Sequence, residues 1–531
     1  MTSFIGTRPL LKVTARQDAR NIAPWIAVIT MLSASSVLAY AWVFPDQKDR
    51  QELASAIGGN PALSLIFGPA RDLTTADGFN AWRAGLLGAF FAGLMAILIV
   101  VRNSRADEDS GRAELLASGV LARPSRLMTA VALASMASVA LGVICFLVTI
   151  ACGGGVVSSA VLSATFAASG LMFAGVAAVT AQLGSEARTA SSLAMATLGI
   201  LYVVRGYIDS SGTAEWAIWV TPFGWLEETR PATGNNPWPL LLALVFSIAM
   251  VAIAFELQSR RDFGGGIIAS RPGAAHAGIV GNVWGLALRL HRGALISWLI
   301  ALAILGLIFG SLSTSINDIA ANNPAMADFV SSGGADEAGL TLAFLTTILQ
   351  MIGILAAVLG VQVTLRIRTE EFEYRVEPLL AGSLRRPVYF ATNAAVALVG
   401  SALALVVSGT CLGLVAARLD DTVSVGDVFR QAIATIPAAW TLVALALAAV
   451  GAVPKLRLVS WAGIFATFGI TILGPTLKFP GWALGISPLY HVPSVAASDP
   501  NWTGLCVVAS IGVVLVVIGF VGFSRRDIHR I

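Results

Sequence analysis

The stretch "RNSRADEDSGRAELLASGVLARP" (residues 102–124) gathers many charges between two long apolar segments. A second stretch, "RIRTEEFEYRVEPLLAGSLRRP" (residues 366–387), resembles it at an offset of 263 positions. The chain therefore carries the same charged segment twice, which predicts an internal duplication. The matching residues are Arg105/Arg368, Glu108/Glu371, Arg112/Arg375, Glu114/Glu377, Leu116/Leu379, Gly119/Gly382, Leu121/Leu384, Arg123/Arg386 and Pro124/Pro387.

The composition around these stretches is that of a membrane protein. Of 531 residues, 56% are hydrophobic and 12% are charged, whereas a soluble domain carries about 25% charged residues. A helix of about 20 apolar residues crosses a bilayer and satisfies its own backbone hydrogen bonds. The sequence thus predicts an all-α polytopic membrane protein with twelve transmembrane helices, at 24–44, 84–101, 127–151, 156–183, 189–206, 239–257, 294–313, 340–365, 390–415, 433–453, 457–475 and 504–523.

The distribution of basic residues predicts the orientation of the chain. With the N-terminus inside, 25 of the 34 Lys and Arg residues fall in inner segments, as the positive-inside tendency requires. We therefore expect the protein in the plasma (inner) membrane, with both termini and both charged stretches on the cytoplasmic side. The net charge of +4 therefore reflects topology, and we do not read it as nucleic-acid binding.

Other motifs extend the duplication over the whole chain. "WAIWVTPFGW" (216–225) parallels "WALGISPLYH" (482–491), and "SRRD" occurs at 259–262 and again at 524–527. Six spans per half is an even number, so the halves are predicted to be parallel repeats about an axis along the membrane normal. The predicted organisation is a first six-span repeat (1–261), a Gly/Ala-rich cytoplasmic linker (262–280) and a second six-span repeat (281–531).

Each charged stretch is predicted to form a short cytoplasmic helix. Glu108→Arg112 and Glu371→Arg375 are i,i+4 pairs in the favourable order, worth about 0.2–0.5 kcal/mol each. Reversing either pair is therefore expected to leave folding intact. Gly119 and Gly382 suit helix ends, and Pro378 is expected to end or bend the second copy early. Retention of the charge pattern in both copies favours a docking surface over a solvated loop.

The docking partner is predicted from what the sequence lacks. No phosphate-binding GxxxxGK[ST] motif occurs, and few ionisable residues lie in the middle of spans, where ion-coupled carriers keep them. The energy source is therefore expected to be a separate cytoplasmic ATPase. We expect the ATPase to contact the residues of the two charged stretches, namely Glu108, Arg112, Glu114, Gly119, Arg123, Glu371, Arg375, Glu377, Gly382 and Arg386.

This arrangement resembles the permeases of type-2 ABC exporters. The fused double unit with "EDSGRAELL", "EEFEYRVEPLL" and twin "SRRD" looks most like the actinobacterial polyketide-antibiotic (tetronasin-type) exporter permeases. The resemblance implies six spans per unit, an amphipathic N-terminal elbow, a charged coupling helix after the second span and a hydrophobic outer segment before the sixth. It also implies a separate nucleotide-binding subunit, expected in two copies, that holds ATP and Mg.

Two further sets of residues have expected roles in export. An apolar pocket for hydrophobic cargo is expected from aromatic and Met residues of the second span of each half, and the outer aromatic segments are expected to form either an interfacial belt or a re-entrant plug. The pocket set is Phe90, Phe91, Met95, Phe344 and Met351, and the outer-gate set is Trp216, Pro222, Phe223, Trp482, Pro488 and Leu489. No catalytic residue, metal site or cofactor is expected on this chain.

The sequence favours the membrane-spanning subunit of an ATP-driven exporter of hydrophobic drugs or antibiotics, which is not itself an enzyme. A major-facilitator-type secondary drug transporter is the alternative, because it also has twelve spans in two parallel halves and a charged loop after the second. It would need titratable groups within the spans. A lipid-linked membrane transferase is a remote alternative, for which Glu227 and Glu228 would be the acid candidates.

Overall fold

The computed structural model describes residues 6–57, 64, 66–111, 122–211, 215–262, 265–268, 281–311, 337–419, 423–476, 480–495 and 500–527. Within these ranges the regular structure is helical, apart from one isolated β-bridge between Gly184 and Ile268. The chain divides into two compact units, residues 1–273 and 274–531.

The first unit contains nine α-helices within the described residues. A 3₁₀ helix, Glu215–Val220, precedes the eighth of them. The helices are α1 (Thr7–Val43), α2 (Gln47–Ile57), α3 (Ala76–Arg102), α4 (Arg105–Asp109), α5 (Arg123–Ala151), α6 (Val156–Leu183), α7 (Ala187–Ser211), α8 (Pro222–Glu227) and α9 (Trp238–Arg260).

The second unit follows a related order in the part of the chain that is described. Two 3₁₀ helices, Pro454–Leu456 and Pro488–His491, flank its later helices. The helices are α10 (Val283–Gly310), α11 (Glu337–Phe372), α12 (Val376–Ala381), α13 (Arg386–Leu419), α14 (Val425–Ala452), α15 (Leu458–Thr476), α16 (Gly481–Leu484) and α17 (Thr503–Arg525).

Eleven helices among the described residues are long and apolar enough to cross a membrane. They correspond to eleven of the twelve predicted spans, so the chain is a polytopic helical membrane protein. The remaining predicted span, 457–475, coincides with α15, a 19-residue helix that is not among the eleven. The twelfth span and the arrangement of twelve helices as two repeats therefore stay predictions.

The basic flanks of the first span in each half are continuous with that span. α1 runs for 37 residues with Pro24 inside it, and α10 begins at Val283, before its basic residues. At 1.5 Å per residue α1 is about 55 Å long, against a hydrocarbon core of about 30 Å. Its basic N-terminal turns therefore extend beyond the apolar layer as part of the same helix, and over residues 7–43 no break separates an elbow from the span.

Glycine allows close contact between α14 and α17. A Cβ added at Gly451 would lie 2.2 Å from the carbonyl oxygen of Gly519, and one added at Gly519 would lie 2.6 Å from the carbonyl oxygen of Leu447. Backbones that approach this closely leave no room for a side chain, as is common where membrane helices pack.

Gly451→Ala is expected to lower the free energy of unfolding by about 1–3 kcal/mol, because the added methyl group must displace a backbone. Gly199→Ala is the matched control. Nothing lies within 4 Å of a Cβ at Gly199 on α7. Because alanine favours a helix more than glycine does, Gly199→Ala should raise the free energy of unfolding by up to about 1 kcal/mol. Thermal unfolding of the purified variants should show midpoint shifts of opposite sign, and equal shifts would contradict the close packing of α14 on α17.

Candidate functional site

The charged stretch of the first half is held by a buried ion cluster. Glu108, on the short helix α4, accepts hydrogen bonds from Arg105 Nη1 at 2.7 Å and from Arg261 Nη2 at 2.8 Å. The exposed fraction of the side chain is 0% for Arg105, 7% for Glu108 and 5% for Arg261. α4 directly follows α3, and Arg261 directly follows α9. The cluster therefore fastens together the ends of the second and last spans of this half.

Backbone carbonyls complete this cluster. Arg105 donates to the carbonyl oxygens of Ser185, at 3.1 Å, and Gly265, at 3.0 Å, and Arg261 donates to Gly265 at 2.7 Å. The N–H of Ile268 also donates to the carbonyl of Leu183 at 2.9 Å. Residues 265–268, which with Asp262 are the described part of the predicted linker, thus pack against other residues of the first unit.

The second half contains a matching cluster. Glu371, near the end of α11, accepts from Arg368 Nη1 at 3.1 Å and from Arg526 Nη2, and its side chain is 0% exposed. Arg526 Nε also donates to the carbonyl of Gly451 at 2.9 Å, and Arg386 Nη1 donates to the carbonyl of Arg526 at 3.1 Å. We call Arg105–Glu108–Arg261 and Arg368–Glu371–Arg526 the two clasps. Each uses the second arginine of an "SRRD" motif.

The predicted i,i+4 pair of the second copy is wrong. Arg375 bonds to Glu370 at 3.3 Å and also pairs with Glu373, whereas Glu371 belongs to the clasp. The reason is that α11 ends at Phe372 and Tyr374 has φ +57°, so Arg375 does not lie one helical turn beyond Glu371. Glu108→Arg112 is not tested, because Arg112 lies outside the described residues.

Pro378 does not end the second helix, which corrects the expectation from sequence. It is the third residue of α12, which runs from Val376 to Ala381 and stops just before Gly382. A proline in the first turn of a helix lacks only an N–H that has no intrahelical partner there. The helix therefore begins close to Pro378 and ends at the predicted glycine.

The predicted docking residues differ in how accessible they are. Arg375 and Gly382 are exposed, Glu377 and Arg386 are partly buried, and Glu108 and Glu371 are enclosed in the clasps. Residues 372–375, which we call the exposed tip, include Phe372 at 65% and Tyr374 at 61% exposure. Arg112, Glu114 and Gly119 lie outside the described residues, as does the side chain of Arg123 at the start of α5.

The sequence reasoning missed the arginines that close the clasps. Arg261 and Arg526 stand 153 and 155 residues from Glu108 and Glu371, so no local spacing connects them. The twin "SRRD" was visible as a repeated motif, and the repetition of a charged tetrapeptide beside a repeated acidic segment was the available signal.

The two outer segments share one pattern of burial. Trp216 and Trp482 are 70% and 76% exposed, whereas Phe223 and Leu489 are fully buried. Pro222 begins α8 and Pro488 begins a 3₁₀ helix. Each segment therefore presents a tryptophan outward and inserts one apolar side chain into its own unit.

In each unit, a long helix bonds to residues that directly follow the outer segment. The Thr229 and Thr165 hydroxyls are 3.1 Å apart in the first unit. In the second unit, Gln431 accepts from the N–H of Val495 at 2.8 Å and donates to the carbonyl of Pro493 at 3.0 Å.

The residues predicted to line a cargo pocket pack inside their own units where they are described. Met95 is fully buried, while Phe90, Phe91 and Met351 are partly buried. The Phe90 ring lies 5.0 Å from that of Tyr202. Phe344 is on α11, and its side chain is outside the described set. A separate cavity of about 340 Å³ lies among α10, α12 and α13, lined by Val283, Leu286, Ala287, Leu290, Glu370, Arg375, Val376, Pro378, Leu379, Tyr389, Thr392 and Asn393.

Comparison with known proteins agrees with a transport role. The family model described as "Multidrug efflux system permease Rv1217c, C-terminal domain" matches residues 16–257 and 280–524. The multidrug efflux system permease protein Rv1217c of Mycobacterium tuberculosis (strain ATCC 25618 / H37Rv) is 36% identical over 538 residues, covering 99% of this chain and 96% of the relative. This chain belongs to the multidrug efflux system permease family.

Proposed function

We propose that this chain is the membrane-spanning permease of a type-2 ABC exporter of hydrophobic drugs or antibiotics, of the tetronasin-type group, driven by a separate cytoplasmic ATPase. The observation that carries the proposal is the pair of clasps. Each clasp fixes a charged segment, located between the second and third spans, to the end of the last described span of the same unit. A solvated loop would not need such a buried anchor.

The clasps support a way to transmit movement. Glu108 and Glu371 lie at the ends of helices that continue the second span of each unit, and Arg261 and Arg526 follow the last span. A partner that displaces the charged segment would therefore move two spans together. In this proposal the clasp residues position the segment, while the exposed tip, with Phe372, Tyr374 and Arg375 exposed, meets the ATPase.

The proposed orientation places this end of the chain in the cytoplasm of a plasma (inner) membrane, with both termini inside. It rests on the asymmetry of Lys and Arg, of which 25 of 34 fall on the side of the clasps. The opposite face, with Trp216 and Trp482, is then the outer one, and its buried Phe223 and Leu489 suit a closed outer gate. The cargo site itself is proposed to include apolar residues of the second spans.

ATP and Mg are proposed to bind to the partner, because this chain carries no phosphate-binding loop. Two charged segments on one chain then imply one permease with two ATPase subunits, or two related ATPase domains. Mass measurement of the intact detergent complex is expected to give this ratio, and the isolated permease is expected to show no nucleotide-dependent thermal shift. A stable assembly of two permease chains, or ATPase activity from the isolated chain, would count against the proposal.

A further inference from the structure

An ion cluster in the first unit lies at the end opposite the clasp. Arg71 Nη2 donates to Glu227 Oε1 and Glu228 Oε1, both at 3.0 Å. On α7, Arg205 Nη1 donates to Asp209 Oδ2 at 2.8 Å, and these two side chains are 0% and 6% exposed. The start of α7 contacts Asp109 beside the first clasp, so Arg205 and Asp209 lie at the other end of that helix.

One oxygen of this cluster has no donor. Glu227 is 7% exposed as a side chain, and its Oε2 is buried without a hydrogen bond from any described donor. Arg205 Nη1, which bonds to Asp209, lies near this oxygen: a Cβ added at Gly68 would be 3.4 Å from Arg205 Nη1 and 3.8 Å from Glu227 Oε2. The charge of Asp209 therefore acts on Glu227. Two ionised carboxylates only accept, so they can share a hydrogen bond only if one carries a proton. A proton on Oε2 of Glu227, donated to Asp209, satisfies both groups while Oε1 still accepts from Arg71.

The surroundings favour this protonated form. Burial, together with the charge of Asp209, raises the pKa of Glu227 to about 8, against the lowering effects of Arg205 and Arg71. By contrast, burial of Asp72 is outweighed by hydrogen bonds from Thr75 and Thr74, which lower the pKa of that carboxyl. Asp72 therefore stays ionised, unlike Glu227.

The other elements packed against α8 bring few charges. α3 carries Asp77, which accepts from the N–H of Gly155 at 2.9 Å, and Arg83. α6 has no Asp, Glu, Lys, Arg or His, and the ionisable residues of α9 are Glu256 and Arg260 at its far end. The remaining titratable or charged neighbours are Tyr202 and Tyr207 on α7, and Glu228 and Arg230 after α8. Glu215 is the first residue of the preceding 3₁₀ helix.

The cluster joins two segments of the outer face. Donors from the spans bond to three backbone carbonyls: Arg205 donates to Ser64 and Ile66, both at 3.3 Å, and Trp82 donates to Gly68 at 3.2 Å. Arg71, a few residues on, then reaches Glu227 and Glu228. A cavity of about 50 Å³ adjoins Arg71, Trp82 and Glu227, enough for a few waters that could carry a proton.

Among the described residues of the second unit, no carboxyl group takes the place of Glu227 or Glu228. Aligned on Trp216 and Trp482, the positions of Glu227 and Glu228 are occupied by Pro493 and Ser494. The amide of Gln431 makes the holding contacts there. His491, the titratable imidazole of that segment, contacts the carbonyl of Gly485 at 2.9 Å. The carboxyl pair is thus a property of the first unit in this comparison.

We propose that Glu227 and Asp209 form a proton-binding site on the outer face of the first unit, which holds residues 66–72 against residues 215–230 while the proton is bound. The proposal rests on the proposed orientation and goes beyond the proposed export function. Because Glu227 binds its proton more tightly than an ordinary carboxyl, the contact is fully present in acid and weakens as the pH rises through about 8. Alkaline conditions outside should loosen the segment.

Infrared spectroscopy of the full chain in lipid nanodiscs tests the site without any cargo. The carbonyl absorption of a protonated carboxyl should disappear with a midpoint near pH 8, and Glu227→Gln should remove this titration. Asp209→Asn should lower the midpoint by about one unit or more, because it removes the neighbouring charge. Glu256→Gln is the control, since the side chain of Glu256 is 61% exposed in its pair with Arg260, and should leave the titration unchanged.

Glu227→Gln is expected to fold, because its amide can accept from Arg71 and donate to Asp209, as the protonated acid does. Asp209→Asn gives an independent reading if the yield of Glu227→Gln is low. A chain with no titrating buried carboxyl, or with an unchanged titration in both variants, would overturn the proposal.

Export provides the second readout. The assay uses proteoliposomes that contain the permease and its ATPase. Wild-type export should be faster with the outer side at about pH 9 than at about pH 6. Glu227→Gln should export at the slower rate at both pH values, because it retains the hydrogen bonds of the protonated form. If the infrared titration is as expected but the chain exports no hydrophobic compound, the proposed function fails and the proton site stands. Normal export that ignores outer pH would show that the site does not govern the gate.

Discussion

Glu371→Gln should lower the stability of the second unit by about 3–5 kcal/mol, the usual cost of removing one partner from a buried ion pair. The substitution keeps the size of the side chain, so no cavity forms. It leaves Arg526 and Arg368 facing a neutral amide where the side chain of Glu371 is 0% exposed. Thermal unfolding of the detergent-purified protein should therefore begin at a clearly lower temperature than in the wild type.

Glu373→Gln is the matched control for this prediction. It makes the same chemical change two residues further along the chain, at a carboxylate that is 44% exposed and pairs with Arg375. Pairs of this kind contribute about 0–1 kcal/mol. Glu108→Gln, in the first clasp, should behave like Glu371→Gln. Equal stability of the Glu371→Gln and Glu373→Gln proteins would show that the second clasp is not an energetic anchor.

Because Glu371 belongs to the second clasp, reversing its charge affects the stability of the unit as well as any docking contact. The local pattern predicts that exchanging Glu371 and Arg375 leaves folding intact, because only a surface pair would be reordered. In the structure an arginine at position 371 would be enclosed by Arg368 and Arg526. Loss of export in the exchanged protein would then reflect a destabilised unit as much as a lost partner contact. Substitutions in the exposed tip separate the two effects.

The sequence predicted the spans well because their signal is local and physical. About 20 consecutive apolar residues must be helical in lipid, whatever their neighbours are. Eleven helices that meet this requirement lie within the described residues. The repeated acidic segment was also visible, since it can be recognised by comparing the chain with itself.

The sequence did not predict which charges are buried. The i,i+4 rule assumes that the helix continues, but α11 ends at Phe372, and Tyr374, at φ +57°, turns the chain. Glu371 instead meets Arg526, 155 residues away, and Glu227 meets Arg71, 156 residues away. Contacts over such separations depend on how helices pack, which a periodic pattern in one segment does not specify.

If the proposed ATPase docks on the exposed tip, Phe372→Ala should weaken its binding about 30-fold while leaving the fold intact. Phe372 is 65% exposed and stands among Arg366, Arg368, Glu370, Glu371 and Glu373, a setting too polar for the lipid interior. Aromatic side chains at the centre of an interface commonly contribute about 2 kcal/mol or more, which corresponds to roughly that change in affinity. Because this exposed side chain contributes little to core packing, its removal should hardly change the thermal midpoint.

Phe465→Ala separates this effect from a general loss of exposed aromatic surface. Phe465 is 68% exposed but lies on α15, in the predicted span at 457–475, where lipid is its expected neighbour. The affinity of each variant for the proposed ATPase subunit would be measured, alongside the thermal midpoint of the variant and the cargo-stimulated ATPase rate of the complex. Phe372→Ala should lose binding and stimulated activity together at an unchanged midpoint, and Phe465→Ala should keep both. If the proposed ATPase binds Phe372→Ala as tightly as the wild type, the exposed tip is not the docking surface, and any such partner must meet the permease elsewhere.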